Sequence, residues 1–105
     1  GIYYDDPENT PTEELYSLGG CILEVQDTNK VKVLKRKGFR IERMNKTPSI
    51  AVSFPNRTGL SMLLGVSKAY TEIEDYLEKH DLQRKPAMEI YTPDSIIFSM
   101  ERAPR

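Results

Sequence analysis

This chain of 105 residues has no tryptophan, one histidine and one cysteine. A lone thiol, Cys21, rules out an internal disulfide and fits a reducing compartment. No apolar run approaches the roughly 20 residues needed to cross a bilayer, and no signal peptide is present. A glycine-rich phosphate loop, a serine elbow and zinc-ligand spacing are all missing. The paired acids Asp5 and Asp6 lack a third ligand at EF-hand spacing, so they read as turn residues before Pro7. Without an initiator methionine, the chain opens directly on strand-like residues and reads as a segment of something longer. Nothing in the sequence calls for a catalytic set, a metal or a cofactor.

The composition is 38% hydrophobic and 30% charged, the balance of one soluble globular domain. Its net charge of −1 hides a segregation. Residues 1–29 carry Asp5, Asp6, Glu8, Glu13, Glu14, Glu24 and Asp27 and no base. Residues 30–46 carry Lys30, Lys32, Lys35, Arg36, Lys37, Arg40, Arg43 and Lys46 against the single acid Glu42. Such a cluster suits an anionic partner or a solvated face complemented by the acidic stretch. Only Phe39 interleaves it with an aromatic ring, so it does not read as a nucleic-acid groove. Asn45-Lys46-Thr47 and Asn56-Arg57-Thr58 match the glycosylation acceptor pattern, which has no consequence if the domain faces the cytosol.

"GIYY" reads as a short strand stopped by Asp5-Asp6-Pro7. Thr10, Pro11 and Glu13 form a capping-box signature and predict one helical turn over 11–16. "GGCILEV" reads as a strand over 20–25, with Cys21 on its apolar face beside Leu23 and Val25 and therefore a buried thiol. Residues 30–37 suit either a strand or a short helix, and Gly38 suits the position just past a helix. "FRIERM", 39–44, has an edge-strand alternation, and 49–54 a clear one with Ile50, Val52 and Phe54 together. Leu63, Val66, Tyr70, Ile73 and Leu77, widened by Met62, Ala69 and Tyr76, predict a long helix over 60–80. His80 falls at its end, where it suits the dipole rather than general-base work. Gly65 costs that helix about 1 kcal/mol against alanine, which points to close packing there. A hairpin follows: strand 87–92, a turn through Pro93 and Asp94, and strand 95–101.

"GIYYDDP" near the start and "MEIYTPD" near the end say almost the same thing. Aligned, they make the first two strands equivalent to the final hairpin and suggest an internal duplication. These runs, with "GF" at 38–39, "SIAVSFP", "KAYTEIEDYLEKHDL" and "P-x-x-EIY" at 86–91, resemble the gyrase-inhibitor-like domain family. The resemblance covers nearly the whole chain. It implies an α+β fold of duplicated strand–helix–strand–strand modules around a pseudo-twofold: an antiparallel sheet with one long helix, the first module lacking its N-terminal strand and helix. Residues 1–105 are then one domain, with 1–29 the remainder of the first module, 30–48 a connector and 49–105 the second module.

Within the family the likeness is strongest to cytosolic domains of receptors for autophagy of the endoplasmic reticulum. That implies a non-enzymatic interaction module with protein partners, on the cytosolic face of the reticulum, with no nucleic acid and no membrane contact of its own. The rival branch is bacterial and cytoplasmic: small-molecule effector domains, some of them hydrolases of strained cytotoxins. Hydrolytic relatives use a glutamate among aromatics that include tryptophan, which this chain lacks.

Period two then selects a ligand-binding set. If the long helix covers Ile50, Val52, Phe54, Ile90 and Phe98, the other face of the sheet carries Ser53, Glu89 and Tyr91, with Tyr3 in the place equivalent to Tyr91. In drug-sensing relatives a strand glutamate in that position binds small lipophilic cations. The same residues also suit a solvated, hydrogen-bonded glutamate on an open sheet face. An uncovered sheet also offers an edge for pairing with a second copy, a homodimer.

Overall fold

The computed structural model describes residues 1–6, 9–23, 27–57 and 59–105, without the side chains of residues 60–62. Pro7 of the expected turn, Glu24 and Val25 of an expected strand, Thr58 of the second acceptor pattern and the Met62 side chain lie outside the described residues. The fold is α+β, a five-stranded antiparallel sheet with two helices. Its elements are β1 (Ile2–Tyr3), a 3-10 turn (Thr12–Glu14), β2 (Ser17–Leu18), α1 (Thr28–Arg36), β3 (Ser49–Pro55), α2 (Gly59–Lys79), β4 (Ala87–Tyr91) and β5 (Ser95–Glu101). The strands lie in the order β2-β1-β4-β5-β3. Two hairpins therefore meet where β1 pairs β4, Ile2 opposite Met88 and Tyr3 opposite Ala87.

The second half forms where its periodicity places it, within one or two residues. Packing explains why. Ala69, Ile73 and Leu77 of α2 meet Ile96, Phe98 and Met100 of β5, with Leu82 and Ala87 completing the buried cluster. Ile50, Val52, Phe54, Val66 and Tyr70 pack around it. Phe54 stacks on Phe98, centroids 5.3 Å apart, and Tyr70 meets Phe98 edge-on at 5.4 Å. Gly65 sits directly over the Phe54 ring, where a Cβ would fall 2.1 Å from a ring carbon. The close approach expected of that glycine is there.

The first half departs from expectation at four places. The turn at 12–14 starts after Pro11 with no side-chain cap, so the Thr10–Glu13 capping box does not form. The second strand is Ser17–Leu18 rather than 20–25. Leu18 pairs Ile2 and Ser17 pairs Tyr3, so the chain turns back earlier than its β-formers suggest. The Asp5 carboxylate accepts from Tyr16 N at 2.7 Å and holds that return, and propensity at 20–23 finds no strand to pair with. Cys21 is accordingly exposed, not buried. The ambiguous 30–37 stretch is a helix because the Asp27 carboxylate accepts from Lys30 N at 3.0 Å and Gly38, at φ +92°, ends it. Residues 39–44 form no strand: the alternation is present, but none of them pairs with a strand of the sheet.

Candidate functional site

Hairpin register decides which side chains look at α2. Thr92 N donates to Ser95 O at 2.9 Å across Pro93 and Asp94, and Ser95 N donates to the Thr92 hydroxyl at 2.9 Å. That two-residue centre pairs odd positions of β4 with even positions of β5: Ala87 with Met100, Glu89 with Phe98, Tyr91 with Ile96. β3 pairs even with even, Val52 opposite Phe98 and Phe54 opposite Ile96. Since Phe98 and Ile96 are buried against the helix, Glu89 and Tyr91 share their face.

The expectation of a ligand set on the helix-free face is therefore corrected. Glu89 lies on the α2 side of the sheet and is 8% exposed. Ile90, expected beneath the helix, lies on the opposite face with Ile97. Tyr3 pairs Ala87 and so falls on the same face as Glu89 and Tyr91, whereas Ser53 pairs Ile97 and faces the other way, exposed. Three of the four expected residues come together. Ser53 does not join them.

Around Glu89 the sequence hid one partner. Tyr70 Oη, from α2, donates to Glu89 Oε2 at 2.6 Å, and Tyr91 Oη donates to Glu89 Oε1 at 2.6 Å. Both carboxylate oxygens are thus engaged, and among the described residues no buried polar side-chain atom lacks a partner. Burial first, then the bond to Glu89, pushes the Tyr70 hydroxyl far above the ordinary phenol range. The Glu89 bond first, then burial, pushes Tyr91 up to about 12. Each phenol is thereby held as a donor. Tyr70 was readable in principle, because a tyrosine inside an apolar helical stripe needs a buried partner for its hydroxyl. The stripe showed the ring's place but not whose oxygen it met.

Beside this latch, Arg84 pairs with Glu74 of α2 and approaches Asp6 at 3.7 Å, joining the helix flank to the turn after β1. Tyr3 and Tyr91 form an aromatic rim, 39% and 49% exposed. Chemically the arrangement is a buried anion held by two phenol donors beside exposed rings. No group of three His, Cys, Asp or Glu among the described residues could hold a metal ion. Among the described residues no helix is long and apolar enough to cross a membrane. His80 sits just past α2 with its ring 4.1 Å from that of Tyr76.

No family model matches the chain, and no solved structure matches it significantly. Two curated proteins are similar to it. The testis-expressed protein 264 homolog of Mus musculus is 26% identical over 102 residues, covering 92% of this chain and 33% of the relative. Testis-expressed protein 264 of Homo sapiens is 27% identical over 103 residues, again 92% of this chain and 33% of the relative. The chain spans about a third of the length of the curated relatives it matches.

Proposed function

We propose that this chain is a non-enzymatic interaction module: a gyrase-inhibitor-like domain on the cytosolic face of the endoplasmic reticulum. It belongs, in this reading, to a receptor similar to testis-expressed protein 264 that serves selective autophagy of that organelle. The observation that carries it is the extent of the similarity, which runs through 92% of the chain rather than a short motif. The domain acts as a rigid folded spacer and docking surface for protein partners, between a membrane anchor and a flexible tail.

The module duplication belongs to the same proposal, and the sheet order supports it. With Ile2 taken as equivalent to Ile90 and Tyr3 to Tyr91, a twofold axis falls between Gly1 and Glu89. Those two residues exchange main-chain bonds, Gly1 N to Glu89 O at 2.9 Å and Glu89 N to Gly1 O at 2.8 Å. The latch around Glu89 supports a structural rather than a catalytic role, since its oxygens already hold the two phenols. Fractionation of cells making the whole protein tests the reading. Added protease should digest this domain on sealed reticulum vesicles, and loss of the protein should slow reticulum turnover during starvation. Protection inside the vesicles, or unchanged turnover, rejects the assignment.

A second reading, an effector domain for lipophilic cations, is favoured by the buried anion and its aromatic rim of Tyr3 and Tyr91. A cation would have to displace phenol donors already in place, so tetraphenylphosphonium should shift the melting temperature little. A rise of several degrees that disappears in Glu89→Gln would transfer the assignment to this second class.

A further inference from the structure

The far side of α2 from Glu89 carries a different feature. β3 is the last strand of the sheet, and nothing among the described residues pairs with its outer edge. Two hydrogen bonds settle which groups that edge presents. Arg102 N donates to Pro48 O and Asn56 N donates to Asp94 O, so even-numbered main-chain groups from 48 to 56 point at β5. The amides and carbonyls of Ser49, Ala51 and Ser53 therefore point outward. β3 carries no charged residue and pairs with β5 without a bulge, so of the usual protections of an edge it has only a proline, Pro55, at its end. The opposite edge, β2, is only two residues long.

A hollow of about 390 Å³ runs beside this edge, between β3 and α2. Val52, Phe54, Gly65 and Ala69 supply its apolar part, and Lys68 and Glu72 stand at its rim. We propose that a second copy of this chain occupies it, β3 pairing antiparallel with β3 about a twofold axis at Val52. Ala51 of one copy then exchanges both main-chain bonds with Ser53 of the other, and the same pair repeats by symmetry. Both α2 helices fall on one face of a continuous sheet. Tyr70 packs on Phe98, which lies level with Val52, so the axis passes beside the midpoint of Lys68 and Glu72. It therefore sets Lys68 of each copy toward Glu72 of the other. Pro55, with no N–H, ends the ladder after one strand length. The contact is isologous and consumes the edge it uses, so it closes at two copies rather than growing into fibres.

Sedimentation equilibrium on a dilution series tests the proposal. The wild-type chain should reach twice its 12.1 kDa mass at the concentrated end. Ala51→Pro removes an outward N–H and no bond to β5, and should raise the dissociation constant about tenfold or more while circular dichroism remains that of the folded chain. Ala51→Lys with Ser53→Lys places like charges opposite each other across the axis and should also dissociate the dimer. Ala51→Lys with Ser53→Glu places opposite charges there and should keep it. A single-chain mass at every concentration overturns the proposal, as does a dimer that a folded Ala51→Pro leaves intact. Equal behaviour of the two charge pairs overturns it too, and serves as the deciding measurement should the proline variant fail to fold.

Discussion

At the scale of single residues, Glu89 carries the most consequence. Its carboxylate accepts from two phenols, and hydrogen bonds to charged groups contribute about 1.5–3 kcal/mol each at best. Glu89→Gln keeps the shape but loses the charge, so denaturant unfolding should show a loss of about 1–2 kcal/mol. An unchanged unfolding midpoint would mean that the latch contributes nothing. The phenols give a second measurement. Their hydroxyls titrate above the ordinary value in the folded protein, so the folded state resists losing those protons. The stabilisation is fully present below about pH 10 and is lost as pH rises through 12 and beyond. Stability should therefore fall steeply over that interval in the wild type and more gently in Glu89→Gln, where phenolate absorbance should also appear at lower pH. Gly65 offers a test with the opposite sign from its propensity. Alanine gains about 1 kcal/mol as a helix former, but its methyl would enter a Phe54 ring already stacked on Phe98. Overpacking costs about 1–3 kcal/mol, so Gly65→Ala should lower the thermal midpoint.

At the scale of elements, long periodic segments were legible and short ones only in part. The stripe from Leu63 to Leu77 predicts α2 because its apolar spacing persists for several turns. Ser17–Leu18 became a strand only because Ile2–Tyr3 lay opposite it. The end of α2 shows local chemistry at work. Leu82 N reaches back to Leu77 O at 2.9 Å, which forces Asp81 into the left-handed region at φ 52°. A glycine adopts that conformation without the side-chain penalty, against a larger loss of unfolded-state freedom elsewhere avoided by aspartate. Asp81→Gly should raise stability by about 0.5 kcal/mol in urea titration. The hairpin taught a sharper lesson. Its turn residues Pro93 and Asp94 are legible in the sequence, and their two-residue centre pairs odd positions of β4 with even positions of β5, whereas the expectation that set Ile90 on one face with Phe98 was one position off that register. A shift of one residue moves a strand's whole set of side chains to the other face, and Glu89 moved with it.

At the scale of the whole molecule, stability is unevenly shared. Every buried residue among those described lies between Ala69 and Met100, and no described residue before Ser49 is buried. Native-state hydrogen exchange should accordingly find its slowest amides in α2, β4 and β5, with residues 27–48 exchanging near the fastest rate. Trypsin should first cut at Lys37, Arg40 or Arg43. Equal protection of both halves would contradict this partition. The sequence by itself determined the α+β class, the long helix, the central strands and the glycine beneath which Phe54 fits, because periodicity and turn chemistry reside within each segment. Only the tertiary structure decided that Glu89 lies under α2, that Tyr70 holds it, that Ser53 faces away and that β3 has an open edge. Those outcomes depend on pairing register and on which strands find neighbours, and both are set jointly by residues far apart along the chain.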